Sequence, residues 1–198
     1  MLKHYQNTDL LVAGLDEAGR GCFAGPVTAA AVILPGDFTN SILNDSKQLS
    51  EKQRHILRHE IEEQAIAWAV ASVDNDEIDE INILNASILA MHRALDQLSQ
   101  PPGLLIVDGN RFKQYNEIPY ECIVKGDGKY YAIAAASVLA KTHRDEFMNT
   151  IHKEFPYYHW DNNKGYPTRD HKDAINEYGI CKYHRRSFNM NEQLKIGF

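Results

Sequence analysis

Three short apolar segments of this chain are each followed, at once or within three residues, by acidic side chains. The segments and their acids are 11–15 with Asp16 and Glu17, 104–107 with Asp108, and 120–124 with Asp127. Short apolar runs bounded by turn residues predict buried β-strands. The ends of neighbouring strands in one sheet lie about 5–10 Å apart. The pattern therefore predicts a sheet at whose edge these carboxylates converge.

Converging carboxylates point to a metal site. Like charges at one place raise each other's pKa unless a cation neutralises them, and Mg²⁺ or Mn²⁺ prefers oxygen ligands. Two such ions about 4 Å apart form the arrangement that cleaves phosphodiesters. Adjacent strand residues point to opposite faces, so Asp16 and Glu17 share one site only if the strand ends or bulges there. Taken singly, Asp108 and Asp127 also fit turn positions beside glycine.

Strands and helices alternate through the chain. Ser50 and Gln53 form a capping box that opens a helix, and further helices are predicted at about 86–98, 131–155 and 168–178. Strands are predicted at 11–15, 27–34, 65–73, 104–107 and 120–124. This order predicts an α/β domain with a mixed sheet. The length of 198 residues fits a single domain, residues 1–198, in which about 156–198 form a helical C-terminal extension.

Composition excludes several classes of protein. The formal net charge is −6, from 21 Lys and Arg against 27 Asp and Glu. An acidic balance argues against a general nucleic-acid coat, but it is compatible with an enzyme whose own metal ions bring the positive charge. No apolar run approaches the roughly 20 residues of a membrane span, and no secretory signal is visible. Three cysteines without a C-x-x-C motif predict a cytoplasmic protein without a disulfide framework or a structural zinc site.

Longer sequence blocks resemble those of the ribonuclease HII family of prokaryotes, and they occur in family order over about residues 12–188. The blocks are Gly14-Leu15-Asp16-Glu17-Ala18-Gly19-Arg20-Gly21, Ala24-Gly25-Pro26-Val27, Asn44-Asp45-Ser46-Lys47, Ile81-Asn82-Ile83-Leu84-Asn85-Ala86, Val107-Asp108-Gly109, Lys125-Gly126-Asp127, Ala135-Ala136-Ser137-Val138-Leu139-Ala140-Lys141, Gly165-Tyr166-Pro167-Thr168 and His184-Arg185-Arg186-Ser187-Phe188.

The resemblance implies a ribonuclease H-like fold, a mixed five-stranded sheet flanked by helices with a helical C-terminal part. It implies an endonuclease that hydrolyses the RNA strand of RNA/DNA hybrids and incises duplex DNA 5′ of embedded ribonucleotides, leaving 3′-hydroxyl and 5′-phosphate ends. The family acts with two ions, Mn²⁺ or Mg²⁺, in removing misincorporated ribonucleotides and RNA primers. By the same motifs, the catalytic, metal-binding carboxylates are Asp16, Glu17, Asp108 and Asp127.

The resemblance also assigns substrate recognition. Backbone groups of Gly19-Arg20-Gly21 are expected to read the ribose 2′-hydroxyl, the group that distinguishes RNA from DNA. Tyr166 is expected to stack on the sugar beside the RNA–DNA junction. By themselves, the glycines are also typical of a tight turn and the tyrosine of a packed loop. Six basic residues are candidate phosphate contacts, although each also fits an ordinary solvated charge: Lys47, Lys141, Arg169, His184, Arg185 and Arg186.

Three other functions stay open on the sequence. Transposases, integrases and junction resolvases share the fold but need no ribose. The glycine loop (Gly19-Arg20-Gly21), together with Tyr166, argues against these classes. The related ribonuclease HIII type usually carries an extra N-terminal domain, whereas only 15 residues precede Asp16 here. A non-catalytic binding module gains little from concentrated negative charge near phosphate.

The last six residues resemble the peptides with which repair proteins dock into a sliding clamp. The segment Gln193-Leu194-Lys195-Ile196-Gly197-Phe198 has aliphatic and aromatic anchors at alternate positions, as groove recognition of an extended peptide requires. A tail that frays or folds back on the protein is the alternative. The other expected partners are RNA/DNA hybrids and ribonucleotide-containing duplex DNA. We expect a monomer that does not associate with membranes.

Overall fold

A five-stranded mixed sheet forms the centre of the computed structural model, which describes residues 2–6 and 9–189. Its strands are β1 (Val12–Ala18), β2 (Val27–Ile33), β3 (Ala67–Val73), β4 (Leu104–Asp108) and β5 (Tyr120–Ile123). The spatial order is β3-β2-β1-β4-β5. β2 is antiparallel to both β1 and β3, whereas β1, β4 and β5 run parallel. The predicted ribonuclease H-like fold with a mixed five-stranded sheet is confirmed.

Six α-helices accompany the sheet in the described part of the chain. They are α1 (Glu51–Gln64), α2 (Asn75–Ile81), α3 (Ile83–Asp96), α4 (Tyr131–His152), α5 (Trp160–Asn163) and α6 (Arg169–Tyr178). The capping box at Ser50 and Gln53 opens α1, as predicted. The helix α3 begins three residues earlier than predicted, because the Asn82 side chain accepts hydrogen bonds from the backbone N–H groups of Leu84 and Asn85. None of the helices described is long and apolar enough to cross a bilayer.

Strand alternation gives the sheet two apolar faces. Leu15, Ala29 and Ala31 belong to a cluster that includes the buried face of α3, whereas Ala30 and Val32 pack with residues of α1 and α4 on the other side. A strand buried on both faces reads as a continuous apolar run, which explains why β2 was visible in the sequence.

The helix α4 lies directly on β1. A Cβ atom at Gly14 would clash with the backbone of Ala132, so the small residue allows close approach of helix to strand. Asp127 lies in a 3₁₀ turn, Gly126–Gly128, three residues before α4 begins. The contact at Gly14 therefore brings the start of α4, and Asp127 with it, beside β1.

The C-terminal part packs through aromatic side chains against the end of α4. Tyr158 and Trp160 are buried with Met148 and Ile151 in a cluster separate from the two sheet faces. Tyr158 and Trp160 stack, with ring centroids 4.9 Å apart. This cluster attaches α5 and α6 to the domain.

Candidate active site

The two acids of β1 lie within the strand rather than after it. β1 continues through Ala18, with Asp16 paired to Ala30 and Glu17 to Ala29 of β2. The prediction that the strand ends before these acids was wrong, because pairing with β2 extends the strand by three residues. Alternation places Glu17 on the same face as Leu15, whose side chain belongs to the α3 cluster.

Three of the four predicted carboxylates converge. Asp16, Asp108 and Asp127 each offer an oxygen, and these oxygens lie within 4.8 Å of one another. Asp16 and Asp108 are neighbours on the parallel strands β1 and β4, whose register pairs the residues just before them. The Asp108 Oδ1 atom accepts a hydrogen bond from the Gly126 backbone N–H at 2.7 Å. That bond fastens the turn carrying Asp127 to the end of β4.

Glu17 lies beside this group without belonging to it. Its carboxylate accepts a hydrogen bond from the Arg20 guanidinium at 3.0 Å. Its backbone N–H donates to Asp16 Oδ1 at 2.7 Å. Glu17 therefore contacts the cluster through its main chain and carries its own negative charge next to it.

The electrostatics of the cluster favour a cation. Burial raises the pKa of Asp16 well above its usual value, and the charges of Glu17 and Asp108 raise it further. Burial also raises the pKa of Asp127, with added repulsion from Asp108 and Asp45. Close carboxylate oxygens are the donor set that hard divalent cations bind, and a bound cation offsets their mutual repulsion. Asp16, Asp108 and Asp127 therefore fit the Mg²⁺ or Mn²⁺ that the sequence predicted.

A cleft of about 400 Å³ opens beside the carboxylates. Its other lining residues come from the end of β1, the glycine loop, the 3₁₀ turn Ser46–Gln48, α4 and the segment before α6: Ala18, Gly19, Arg20, Gly21, Ser46, Lys47, Ser137, Lys141 and Tyr166. The cleft thus brings the predicted recognition residues next to Asp16, Glu17 and Asp108.

The glycine loop has a conformation that requires glycine. Gly19 has a φ of +93°, which side chains rarely tolerate. A Cβ atom there would also clash with the Arg144 side chain. Nothing lies within 4 Å of a Cβ built at Gly21, so at that position glycine leaves the cleft open.

Tyr166 presents its ring at the cleft wall. Its side chain is partly exposed, and the Lys141 Nζ and Arg144 Cζ atoms lie 5.6 and 5.9 Å from the ring centroid. Burial raises the pKa of its hydroxyl to about 12, so the phenol stays neutral at physiological pH. Lys141 also donates to Asp145 Oδ1 at 2.7 Å.

The six candidate phosphate contacts separate into three groups. Lys47 and Lys141 line the cleft. Arg169 and Arg186 are exposed but do not line it, and Arg169 pairs with Asp173. The assignment of His184 and Arg185 was wrong, since both are 0% exposed and cannot reach a phosphate. Arg185 donates instead to the carbonyl oxygens of Gly25 and Arg20.

Sequence reasoning missed three residues that shape the site. The hydroxyls of Ser46 and Ser137 are 2.6 Å apart at the cleft wall. Arg144 is buried and donates to the carbonyls of Pro26, Ala24 and Lys164. Both serines occur in the sequence blocks quoted above, which was an available signal. Nothing in the local sequence marks Arg144, whose partners are 20 to 120 residues away.

Known proteins show the same fold and the same family. A family model described as Ribonuclease HII matches residues 13–191. The chain is 65% identical over 199 residues to the Ribonuclease HII of Christiangramia forsetii, with 100% of each chain covered. The crystal structure of the ribonuclease H2 from Pyrococcus horikoshii matches with a TM-score of 0.75 and 25% identity, covering 93% of this chain and 96% of that one.

A second solved structure, the PCNA:RNase HII complex from Archaeoglobus fulgidus, matches with a TM-score of 0.76 and 23% identity, covering 90% of this chain and 95% of that one. The likeness at this identity concerns the fold. The family model and the full-length identity carry the assignment: the chain belongs to the ribonuclease HII family, metal-dependent nucleases that cleave the RNA of RNA/DNA hybrids.

Proposed function

We propose that this enzyme incises duplex DNA 5′ of an embedded ribonucleotide, besides cutting the RNA strand of hybrids, and leaves 3′-hydroxyl and 5′-phosphate ends. The observation that carries the proposal is one cleft lined by Asp16, Asp108, the glycine loop and Tyr166. A metal site alone would suit any nuclease of this fold. A ribose-reading wall beside it supports specificity for a single 2′-hydroxyl.

Asp16, Asp108 and Asp127 hold the divalent cations in this proposal. Glu17 lies outside that group and adds a fourth carboxylate to the lining of the same cleft. When bound, two Mg²⁺ or Mn²⁺ ions supply the Lewis acidity that activates water and stabilises the leaving oxygen. The carboxylates orient the site because they project from two paired strands and a turn bonded to one of them. Lys47 and Lys141 bind substrate phosphates at the cleft wall.

Gly19, Arg20 and Gly21 read the ribose through their backbone groups. A 2′-hydroxyl both donates and accepts, so main-chain N–H and C=O groups can satisfy both of its roles. Tyr166 stacks on the neighbouring sugar across the cleft. Its proximity to the glycine loop, with both lining one cleft, supports a joint readout of the ribonucleotide and its junction.

The enzyme acts, in this proposal, as a cytoplasmic monomer that removes misincorporated ribonucleotides and RNA primers. Cys22, Cys122 and Cys181 are unpaired in the structure, which supports a reducing compartment.

We also propose docking to a sliding clamp through residues 193–198, which lie outside the described residues. The Archaeoglobus fulgidus relative was solved in a PCNA:RNase HII complex, and the tail has alternating apolar anchors. Deletion of 193–198 should abolish retention on immobilised clamp while cleavage of short duplexes stays unchanged. Retention equal to that of the full chain would contradict this docking.

The experiment that tests the activity compares three labelled duplexes with Mg²⁺ or Mn²⁺. They are all-DNA, DNA with one ribonucleotide, and an RNA/DNA hybrid. Asp108→Asn serves as the inactive control, because the amide oxygen can still accept from the Gly126 N–H while the charge is lost. We expect cutting of the hybrid and cutting 5′ of the lone ribonucleotide, both lost in the control.

Two outcomes would contradict the proposal. Cutting of all-DNA would indicate a resolvase-like or integrase-like activity without ribose readout. Cutting of the hybrid alone would restrict the enzyme to long RNA strands and remove the single-ribonucleotide role.

A further inference from the structure

A second pocket of about 180 Å³ opens on the α3 side of the sheet, across from the cleft described above. Its wall from α3 carries the apolar side chains of Leu84, Ile88 and Met91 together with Ser87, whose hydroxyl donates to the Ile83 carbonyl. Arg20, Asn110 and Arg111 supply hydrogen-bond donors around it. We call this the α3 pocket. An apolar wall with donors around it suits a sugar–phosphate unit, and the volume is too small for a base pair.

The α3 pocket is continuous with the cleft through shared residues. Glu17, Arg20 and Asp108 line both openings. The carboxylates therefore stand between two spaces, one with Gly19 and Tyr166 and one with Arg111. A nucleic-acid strand long enough to extend past these carboxylates on both sides would occupy both spaces.

The loop after β4 supplies hydrogen-bond donors that have no partner among the residues the structure describes. Gly109 has a φ of +95°, which turns the chain immediately after Asp108. Asn110 and Arg111 are exposed, and neither side chain makes a hydrogen bond or ion pair with any residue in 2–6 or 9–189. In an acidic chain, an unpaired arginine this close to Glu17 and Asp108 is available for an anionic ligand.

We propose that the α3 pocket is the subsite for the nucleotide on the 5′ side of the cut, with Arg111 and Asn110 binding one of the two nearest phosphates on that side. The 5′-to-3′ direction that this assignment gives to the bound strand rests on the proposed function. The ribonucleotide lies 3′ of the cut, so its ribose occupies the glycine-loop side of the carboxylates. The strand beyond the carboxylates, on the Arg111 side, therefore runs in the 5′ direction.

Methylphosphonate substrates test this contact because they remove the charge of one phosphate. The duplex carries one ribonucleotide and one methylphosphonate, placed at the first or second phosphate 5′ of the cut, or at the second phosphate 3′ of it. Native enzyme should lose on the order of tenfold in kcat/KM at one of the two 5′ positions. Arg111→Ala should lose a similar factor on the unmodified duplex and then show no further loss at that position.

Two more variants sharpen the result. Arg111→Lys keeps the charge but not the planar fork, so its kcat/KM should lie between those of native enzyme and Arg111→Ala. Lys113→Ala is the matched control from the same loop, because Lys113 donates to Asn85 Oδ1 and does not line the pocket. It should behave as native on every duplex. The 3′ methylphosphonate should affect native enzyme and all variants equally.

The proposal is overturned if Arg111→Ala cleaves the unmodified duplex as native does, or if it stays as sensitive as native to both 5′ modifications. Unchanged thermal unfolding of the variant excludes misfolding as the cause of any loss. Failure of native enzyme to cut the unmodified duplex would overturn the proposed function, and the subsite with it. Cutting by native enzyme together with an indifferent Arg111→Ala would overturn the subsite alone.

Discussion

The side chain of Arg144 occupies the space that a Cβ atom at Gly19 would need. Arg144 comes from α4, is buried, and donates to the carbonyl oxygens of Ala24 and Pro26, in the segment between the glycine loop and β2. It also donates to the carbonyl of Lys164, two residues before Tyr166. One guanidinium therefore fixes the segment that follows the glycine loop relative to Tyr166, and both the loop and Tyr166 line the same cleft.

Alanine substitutions at the two glycines of this loop should differ. Gly19→Ala meets both a positive φ and the Arg144 side chain, and we expect a loss of about 1–3 kcal/mol in the free energy of unfolding. Gly21→Ala meets open space and should change that free energy by less than about 1 kcal/mol. Urea unfolding of both variants measures the difference. Equal losses would contradict the steric role of Arg144.

Asp16→Asn should abolish cleavage and yet stabilise the metal-free protein at neutral pH. The folded-state pKa of Asp16 is raised, so its ionised form is disfavoured in the fold. That cost is absent below the unfolded-state pKa of about 4 and is complete once the pH exceeds the folded-state value. At pH 7 the amide removes the cost, and the Tm without metal should rise by on the order of a few degrees.

Adding Mn²⁺ should reverse the order of the Tm values of native protein and Asp16→Asn. A ligand that binds only the folded state stabilises it. Because Asp16→Asn lacks one of the metal-binding carboxylates, Mn²⁺ should raise the Tm of native protein more than that of the variant. Thermal unfolding with Mn²⁺ and with EDTA gives both values. A lower Tm for Asp16→Asn than for native protein in EDTA would contradict the electrostatic argument.

The buried His171–His184 pair should make stability depend on pH. Their Nε2 atoms are 3.2 Å apart. Burial and the neighbouring His171 lower the pKa of His184 to about 3. The unfolded chain takes up a proton below about pH 6.5 and the folded chain does not. The contribution of His184 to stability is therefore complete above pH 6.5 and declines as the pH falls toward 3, by up to about 1.4 kcal/mol per pH unit.

Urea unfolding at pH 7.5, 6 and 5 measures this decline by comparing native protein with His184→Gln, whose glutamine side chain takes up no proton. The difference in the free energy of unfolding between native protein and His184→Gln should decrease as the pH falls, because only native protein loses the contribution of His184. Titratable groups common to both proteins cancel in this difference. A constant difference for His184→Gln would show that His184 binds protons equally in the folded and unfolded states.

Tyr166 should act through its ring rather than its hydroxyl. Tyr166→Phe keeps the stacking surface, and its kcat/KM on a single-ribonucleotide duplex should stay within about threefold of the native value. Tyr166→Ala loses that surface, and its kcat/KM should fall on the order of ten- to a hundredfold, which corresponds to the loss of one stacking contact. Steady-state cleavage with saturating Mg²⁺ gives the ratios. Equal losses in both variants would indicate that the hydroxyl carries the role instead.

Local patterns in the sequence were sufficient for much of the fold. Apolar runs and caps predicted all five strands and most helices, because strand alternation and helix capping depend on neighbouring residues. The convergence of Asp16, Asp108 and Asp127 was also predicted from the sequence, since each acid lies at or just beyond the end of the stretch over which β1, β4 and β5 pair in parallel. The ribonuclease HII resemblance supplied the identity of the family.

Only the tertiary structure decided the environment of each side chain. Pairing with β2 continues β1 through Ala18, and this separates Glu17 from the three-carboxylate group. His184 and Arg185 are residue types usually found at the surface, and the sequence therefore predicted that they are exposed. Both are buried, and Arg185 contacts a residue as distant in the chain as Arg20. The α3 pocket joins β1, α3 and the loop after β4. Such features arise from residues far apart in the chain, and short-range periodicity carries no information about which distant residues meet.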